Sequence, residues 1–226
     1  MNWYKKAQQD NIWDEIYKYW ALGKNNDLAI EHIMKRMNMS KEEAEDFFYK
    51  NDALSEMYRR DAFVKRYSWA SPTKEAIERI KQFTGNDTIL EIGSGYGLWA
   101  RLLKDEGVNI VATNKPFTKE DGHIPEIKNI SFIEEIEELD HKKAIEKYGK
   151  YNVLMMCWPP YDDPMAYESL KEFKGNKLIF IGEGHGGCTG CDNFFELLSK
   201  EWNLYKVITL PQWWGIHDSL FLYIRK

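Results

Sequence analysis

Seven short apolar runs punctuate the chain from residue 88 onward: TILEI (88–92), NIVAT (109–113), ISFI (130–133), NVLMMC (152–157), KLIFIG (177–182), LYKVITL (204–210) and SLFLYI (219–224). Each is too short for a helix and is rich in β-branched or aromatic residues, while amphipathic segments such as LWARLLKDEG and NFFELLSKEW lie between them. Strands that read as continuous apolar runs are buried on both faces, and parallel neighbours need a crossover helix between them. This alternation predicts an α/β fold: a doubly wound, seven-stranded, mostly parallel sheet with helices on both faces. Only PQWWGIHD separates the last two runs, too little for a crossover helix, so the last strand is expected to be antiparallel.

Residues 1–66 carry no strand signal and are expected to form an N-terminal helical cap or lid on a domain spanning 67–226. From Asn26, the residues Leu28, Ile30, Ile33, Met34 and Met37 fall near one helical face. Ser40 with Glu43 three positions later has the form of a capping box before Phe47 and Phe48. Two short helices joined tightly could read DNA, but KEEAEDFFYKND is acidic where a recognition helix should be basic. Ser71 and Pro72 are expected to open the next helix as N-cap and first residue, with Ala76, Ile77, Ile80 and Phe83 on one face and Gly85 at its end.

Composition narrows the function classes. Thirty-one basic against 36 acidic side chains give a formal charge of -5, so no overall field draws the protein to nucleic acid or an anionic membrane. Neither partner is expected. Charged residues interrupt every apolar run near the N-terminus, and no segment reaches the length of a membrane span. Three cysteines do not make a disulfide framework, which agrees with a cytoplasmic protein.

The clearest motif is EIGSGYG, Glu91 to Gly97, directly after the first run and before a helix pattern. Gly93, Gly95 and Gly97 permit positive φ and close approach of a ligand to the backbone, while the following helix presents free N–H groups. The spacing differs from the dinucleotide fingerprint. In motif and strand order, residues 71–226 resemble the seven-stranded Rossmann-like S-adenosylmethionine-dependent methyltransferases. The resemblance implies S-adenosyl-L-methionine as cofactor, held by Trp69, Glu91, Gly93, Ser94, Gly95, Gly97, Asn114, Trp158 and Pro159. It places Glu91 near the cofactor's amino group and Asn114 where the class usually has an acid for the ribose hydroxyls; an amide can also bond a hydroxyl. Ile133 and Glu134, at the end of the third run, would lie near the adenine.

Ligands of open α/β sheets bind outside the carboxyl ends of the strands. Four unusual loops leave from those ends: EIGSGYG, CWPPYDDP, GEGHGGCTGCD and PQWWGIHD. Amino-methylating members of the class carry Asn or Asp followed by Pro-Pro-Tyr or Pro-Pro-Phe. Pro159, Pro160 and Tyr161 match that pattern, but Trp158 does not, because an indole donates and cannot accept. A nucleic-acid or protein amino group is therefore the less favoured acceptor. Tyr161, Asp162 and His217 are the catalytic candidates; Trp158, Tyr161, Glu183, His185 and Trp214 are candidates for binding a small-molecule or side-chain acceptor. Asp162 and Asp163 also suit a turn before Pro164, and Asp192 suits a helix cap. Cys188 and Cys191 have half the spacing of a zinc site; a second C-x-x-C is missing, and no metal is expected. The combination YSWASP, WPPY, GEGHGGCTG and GIHD also resembles an uncharacterised methyltransferase-like group, which implies that these motifs form one site. The rival expectation is a methyltransferase-like module that binds without turnover.

Overall fold

The computed structural model describes Trp13, Ile16 and residues 24–116, 131–133 and 135–226. Three helices come first, α1 (Lys24–Met37), α2 (Lys41–Lys50) and α3 (Asp52–Arg66), followed by α4 (Lys74–Thr84). The alternation then runs β1 (Ile89–Ile92), α5 (Leu98–Asp105), β2 (Ile110–Asn114), β3 (Ile136–Glu138), α6 (His141–Tyr148), β4 (Val153–Cys157), α7 (Met165–Glu172), β5 (Lys177–Gly182), α8 (Asp192–Glu201), β6 (Trp202–Thr209) and β7 (Ser219–Arg225). The seven strands form one sheet in the order β3-β2-β1-β4-β5-β7-β6. All pairs are parallel except those made by β7, which runs antiparallel to both β5 and β6. The expected α/β architecture, with its antiparallel last strand, is therefore the one observed.

Period-two alternation along buried strands divides the core into two layers. Ile89, Met155, Ile179, Ile181, Leu220 and Leu222 face one side, where Ile77, Ile80, Leu98 and Leu102 cover them. Leu90, Ile92, Leu154, Met156, Leu178 and Phe180 face the other, under Ala166, Leu170, Phe194 and Leu198. Burying each such side chain contributes about 1.5–3 kcal/mol, so the sheet is held from both faces. The helical segment has a smaller nucleus of its own, built from Ala29, Ile30, Ile33, Ala44 and Phe48. Its last helix belongs to the main core as well. Phe63 of α3 lies 5.7 Å from the ring of Trp213, and Tyr67 stacks at 6.4 Å on Phe132.

Local chemistry explains most boundaries. Ser40 and Glu43 form the expected capping box, with the Ser40 backbone N–H donating to Glu43 Oε2 at 2.8 Å. Three expectations are corrected. The N-cap of α4 is Thr73, whose hydroxyl accepts from the Ala76 N–H at 3.1 Å; Ser71 is buried upstream. Asp192 is the first residue of α8 and makes no cap. The third strand is Ile136–Glu138, while Ser131–Ile133 bends beneath the glycine loop, its Phe132 N–H donating to the Tyr96 carbonyl at 2.7 Å. Ile130 and Glu134, and most of residues 1–23, lie outside the described residues. No helix among the described residues is long and apolar enough to cross a membrane.

Candidate functional site

The glycine loop leaves the carboxyl end of β1 and enters α5 with three left-handed residues, Gly93, Gly95 and Gly97, at φ 75°, 56° and 76°. Two of these serve different ends. A Cβ on Gly97 would meet Ile133 Cγ1 at 2.9 Å, so this glycine lets the loop close onto the bend at 131–133. A Cβ on Gly95 would meet nothing within 4 Å, so this glycine borders open space. The loop is anchored from β2: the Gly93 and Ser94 N–H groups donate to the Thr113 carbonyl at 2.9 and 3.0 Å, and the Gly95 N–H donates to Asn114 Oδ1 at 3.1 Å. Asn114 is thus committed to holding the loop, and its amide nitrogen donates to the Lys115 carbonyl at 2.6 Å.

Glu91, on β1, is 1% exposed, and neither carboxylate oxygen has a hydrogen-bond partner. Burial pushes its carboxyl up to about 8. A buried, unsatisfied carboxyl carries a desolvation penalty that a cationic or hydrogen-bonding ligand would relieve. Next along the strand edge is Cys157, whose thiol is raised well above its ordinary value, first by burial and then by the charges of Glu91 and Asp218. Both carboxylates thus act electrostatically on one thiol at this end of the sheet.

The second half of the site is built from side chains. Trp158 follows β4 with φ 52°, and its N–H donates to the Ile181 carbonyl at 2.7 Å. Its ring stacks on Trp69 at 5.0 Å with 14° between planes. The Arg60 guanidinium of α3 lies over both rings, 4.7 Å from Trp158 and 5.3 Å from Trp69. The indole N–H of Trp158 donates to Asp218 Oδ1 at 2.6 Å. Asp218 is 0% exposed, its Oδ2 has no partner, and burial raises its carboxyl to about 6 against the opposing pull of the Trp158 hydrogen bond and the Arg60 charge. Burial depresses Arg60 in turn, while Asp218, Asp61, Glu183 and Cys188 act the other way; Nε and Nη2 have no hydrogen-bond partner among the described residues.

Glu183, after β5, joins two loops. Its Oε2 accepts from the Cys188 N–H and its Oε1 from the His217 N–H, each at 2.8 Å. Burial opposes its ionisation, but those N–H donors outweigh it and hold its carboxyl below the ordinary value. Both oxygens are engaged in shaping the loops. His217 is 73% exposed at its side chain, with Nδ1 3.7 Å from Glu183 Oε1, and His185 is 68% exposed beside Asp192.

The structure thus joins Trp69 to Trp158 and Glu183 to the backbone of His217, and sets Glu91 and the glycines at the exit of the strand next to β4. Pro159 is buried, and its carbonyl accepts from the Gly190 N–H at 3.1 Å. Tyr161 is 70% exposed and Trp214 is 66% exposed, both on the outer surface of their loops. Asp162 is exposed in a left-handed turn with its N–H bonded to the Gly190 carbonyl, and Asp163 Oδ1 accepts from the Met165 N–H at 2.8 Å ahead of α7. Among the described residues no group of three or more His, Cys, Asp or Glu side chains converges as metal ligands. Sequence does not single out Arg60, and it offers Asp218 only as an acceptor beside His217, not as a site residue. The signal for Asp218 was present in GIHD, where the acid beside the histidine, rather than the histidine, turns inward.

No protein-family model matches the chain, and no curated protein matches it either. Several solved structures are similar to it over about two thirds of its length. A Streptococcus pneumoniae protein, provisionally named a tRNA (m1A22) methyltransferase and solved with S-adenosyl-L-methionine, is 12% identical over 68% of this chain and 73% of its own, with a TM-score of 0.48. The 1,6-didemethyltoxoflavin-N1-methyltransferase of Burkholderia thailandensis, bound to 1,6-didemethyltoxoflavin and S-adenosylhomocysteine, is 10% identical over 68% and 77%, at 0.47. The magnesium protoporphyrin IX methyltransferase of Synechocystis, with bound cofactor, is 10% identical over 66% and 74%, at 0.41.

Proposed function

We propose that this chain is an S-adenosylmethionine-dependent methyltransferase acting on a small molecule or an exposed side chain, with the helices up to Arg66 as a cap over the acceptor side. The observation that carries the reading is the Glu91 carboxyl, buried and without a partner beside a glycine loop that borders open space at Gly95. A cofactor bearing an ammonium group suits that acid, and the open space at Gly95 would admit the rest of the ligand. Glu91 would hold the amino group, and the Gly93 to Gly97 backbone would let the chain of the ligand pass close. The cofactor would supply an electrophilic methyl; the protein aligns the acceptor, excludes water and takes up a proton. Trp69 and Trp158 provide the dry wall.

A binding module without turnover is the second reading. It is favoured by Asn114, whose side chain is spent on the Gly95 N–H and the Lys115 carbonyl, and by the outward position of Tyr161. Both readings predict that S-adenosylmethionine and S-adenosylhomocysteine raise the melting temperature, by about 5–10 °C near 100 times Kd. Gly95→Arg, which fills the open space, abolishes the shift. Mass spectrometry of a metabolite extract incubated with protein and cofactor then separates them: a product heavier by one methylene supports the enzyme, and none from any extract supports the module. No thermal shift with the unaltered protein overturns both.

A further inference from the structure

Directly ahead of β7 lies a buried acid with an incomplete set of partners. Asp218 is fully buried, one oxygen is fixed by the Trp158 indole at 2.6 Å, and the other faces no partner. A carboxylate deprived of half its hydrogen bonds is a standing penalty, and proteins keep such groups where a ligand completes them. Its neighbours indicate what kind of ligand. Trp158, which holds the acid, follows β4, the strand beside β1, so Asp218 stands at the same sheet edge as the glycine loop, on the side toward which the proposed cofactor would present its methyl. Glu183 is already satisfied by two backbone N–H groups. That leaves two open buried acids, Glu91 and Asp218, against one guanidinium, Arg60. Another anion entering here would meet the charges of Asp218 and Glu183, with Arg60 alone to offset them. A cation or an N–H donor would be welcomed, and the paired indoles of Trp69 and Trp158 already carry one planar cation on their faces.

Resting on the cofactor reading above, we infer that Asp218 is the acceptor-side catalytic residue, and that the acceptor's reactive atom is a nitrogen bearing N–H. Trp158 holds the carboxylate in place through Oδ1, leaving Oδ2 to take the acceptor's hydrogen bond. In the reaction, the nitrogen gives a proton to Oδ2, and its freed lone pair forms the new C–N bond. The C–S bond breaks with its electron pair returning to sulfur, which leaves a neutral thioether. Burial supports this assignment, because an acid raised to about 6 is ionised near neutrality yet basic enough to accept a proton.

The test needs no acceptor. Sinefungin carries an amine at the position of the transferable methyl, and S-adenosylhomocysteine carries nothing there. Titration calorimetry on the full chain should show sinefungin binding about tenfold tighter, the gain of one charge-assisted hydrogen bond. Asp218→Asn should erase that preference while binding of S-adenosylhomocysteine persists. The preference should grow from pH 5 to pH 7 as Asp218 ionises. Trp158→Phe, which keeps an aromatic wall but frees the carboxylate, should reduce the preference about threefold and serves if Asp218→Asn does not fold. Equal affinities for the two nucleosides in the unaltered protein, or a preference unchanged in both variants, overturns this inference alone. Failure of either nucleoside to bind the unaltered protein overturns the cofactor reading and this inference with it.

Discussion

The two halves of the strand edge are built from different material. At the exit of β1, the backbone makes the site: left-handed glycines, N–H groups tied to Thr113 and Asn114, and one buried acid. At the exits of β4 and β5 and the entry to β7, side chains make it: two stacked indoles, a guanidinium and an acid held by an indole N–H. A backbone-built surface tolerates changes of side chain and fails when its φ angles are denied. A side-chain-built surface should behave in the opposite way.

The largest effect expected is at Trp158. Trp158→Ala removes the stack on Trp69, the platform for Arg60 and the hydrogen bond to Asp218 together, and should cost about 3–5 kcal/mol in urea unfolding. A loss under 1 kcal/mol would erase the distinction between the two halves. Next comes Glu91. Its carboxyl is raised to about 8 in the folded protein against an ordinary 4.5, so the folded state favours the protonated form. Stability tied to this group is fully present below about pH 4.5 and declines as pH rises toward 8. The melting temperature should fall over that window, and Glu91→Gln should flatten the profile. An unchanged slope in the variant would show that the acid is solvated. The smallest effect is at Ser94, whose hydroxyl makes no hydrogen bond among the described residues; Ser94→Ala should leave stability within about 0.5 kcal/mol.

The same contrast governs what could be read from sequence. The glycine loop is contiguous, and its chemistry depends on residue types that few other structures require, so Glu91 to Gly97 declares itself. Strands buried on both faces do likewise. The exception is the third: ISFI is the more apolar run, but Phe132 and Ile133 are buried as packing for the loop at Tyr96 and Gly97. The strand that pairs with β2 is IEE, with one apolar residue in three, at the edge of the sheet where little burial is demanded. Arg60, Trp69, Trp158 and Asp218 belong to four separate segments. Nothing local to α3 distinguishes Arg60 from Arg59, and which face of the GIHD turn points inward is decided by Glu183, which captures the His217 N–H and turns its side chain out. Such a choice is tertiary, and the spacing of letters does not encode it.

The clasp at Glu183 also has a kinetic side. A single carboxylate holds the N–H group of Cys188, five residues along its own loop, and that of His217, 34 residues away on the next. Neither amide can exchange its proton with water while the clasp is closed, and opening releases both together. Deuterium uptake at these two positions should therefore follow one common rate, and Glu183→Gln, which weakens the acceptor charge, should speed both by a similar factor. The two loops would then count as one opening unit, moving over the site as a single leaf rather than as independent flaps.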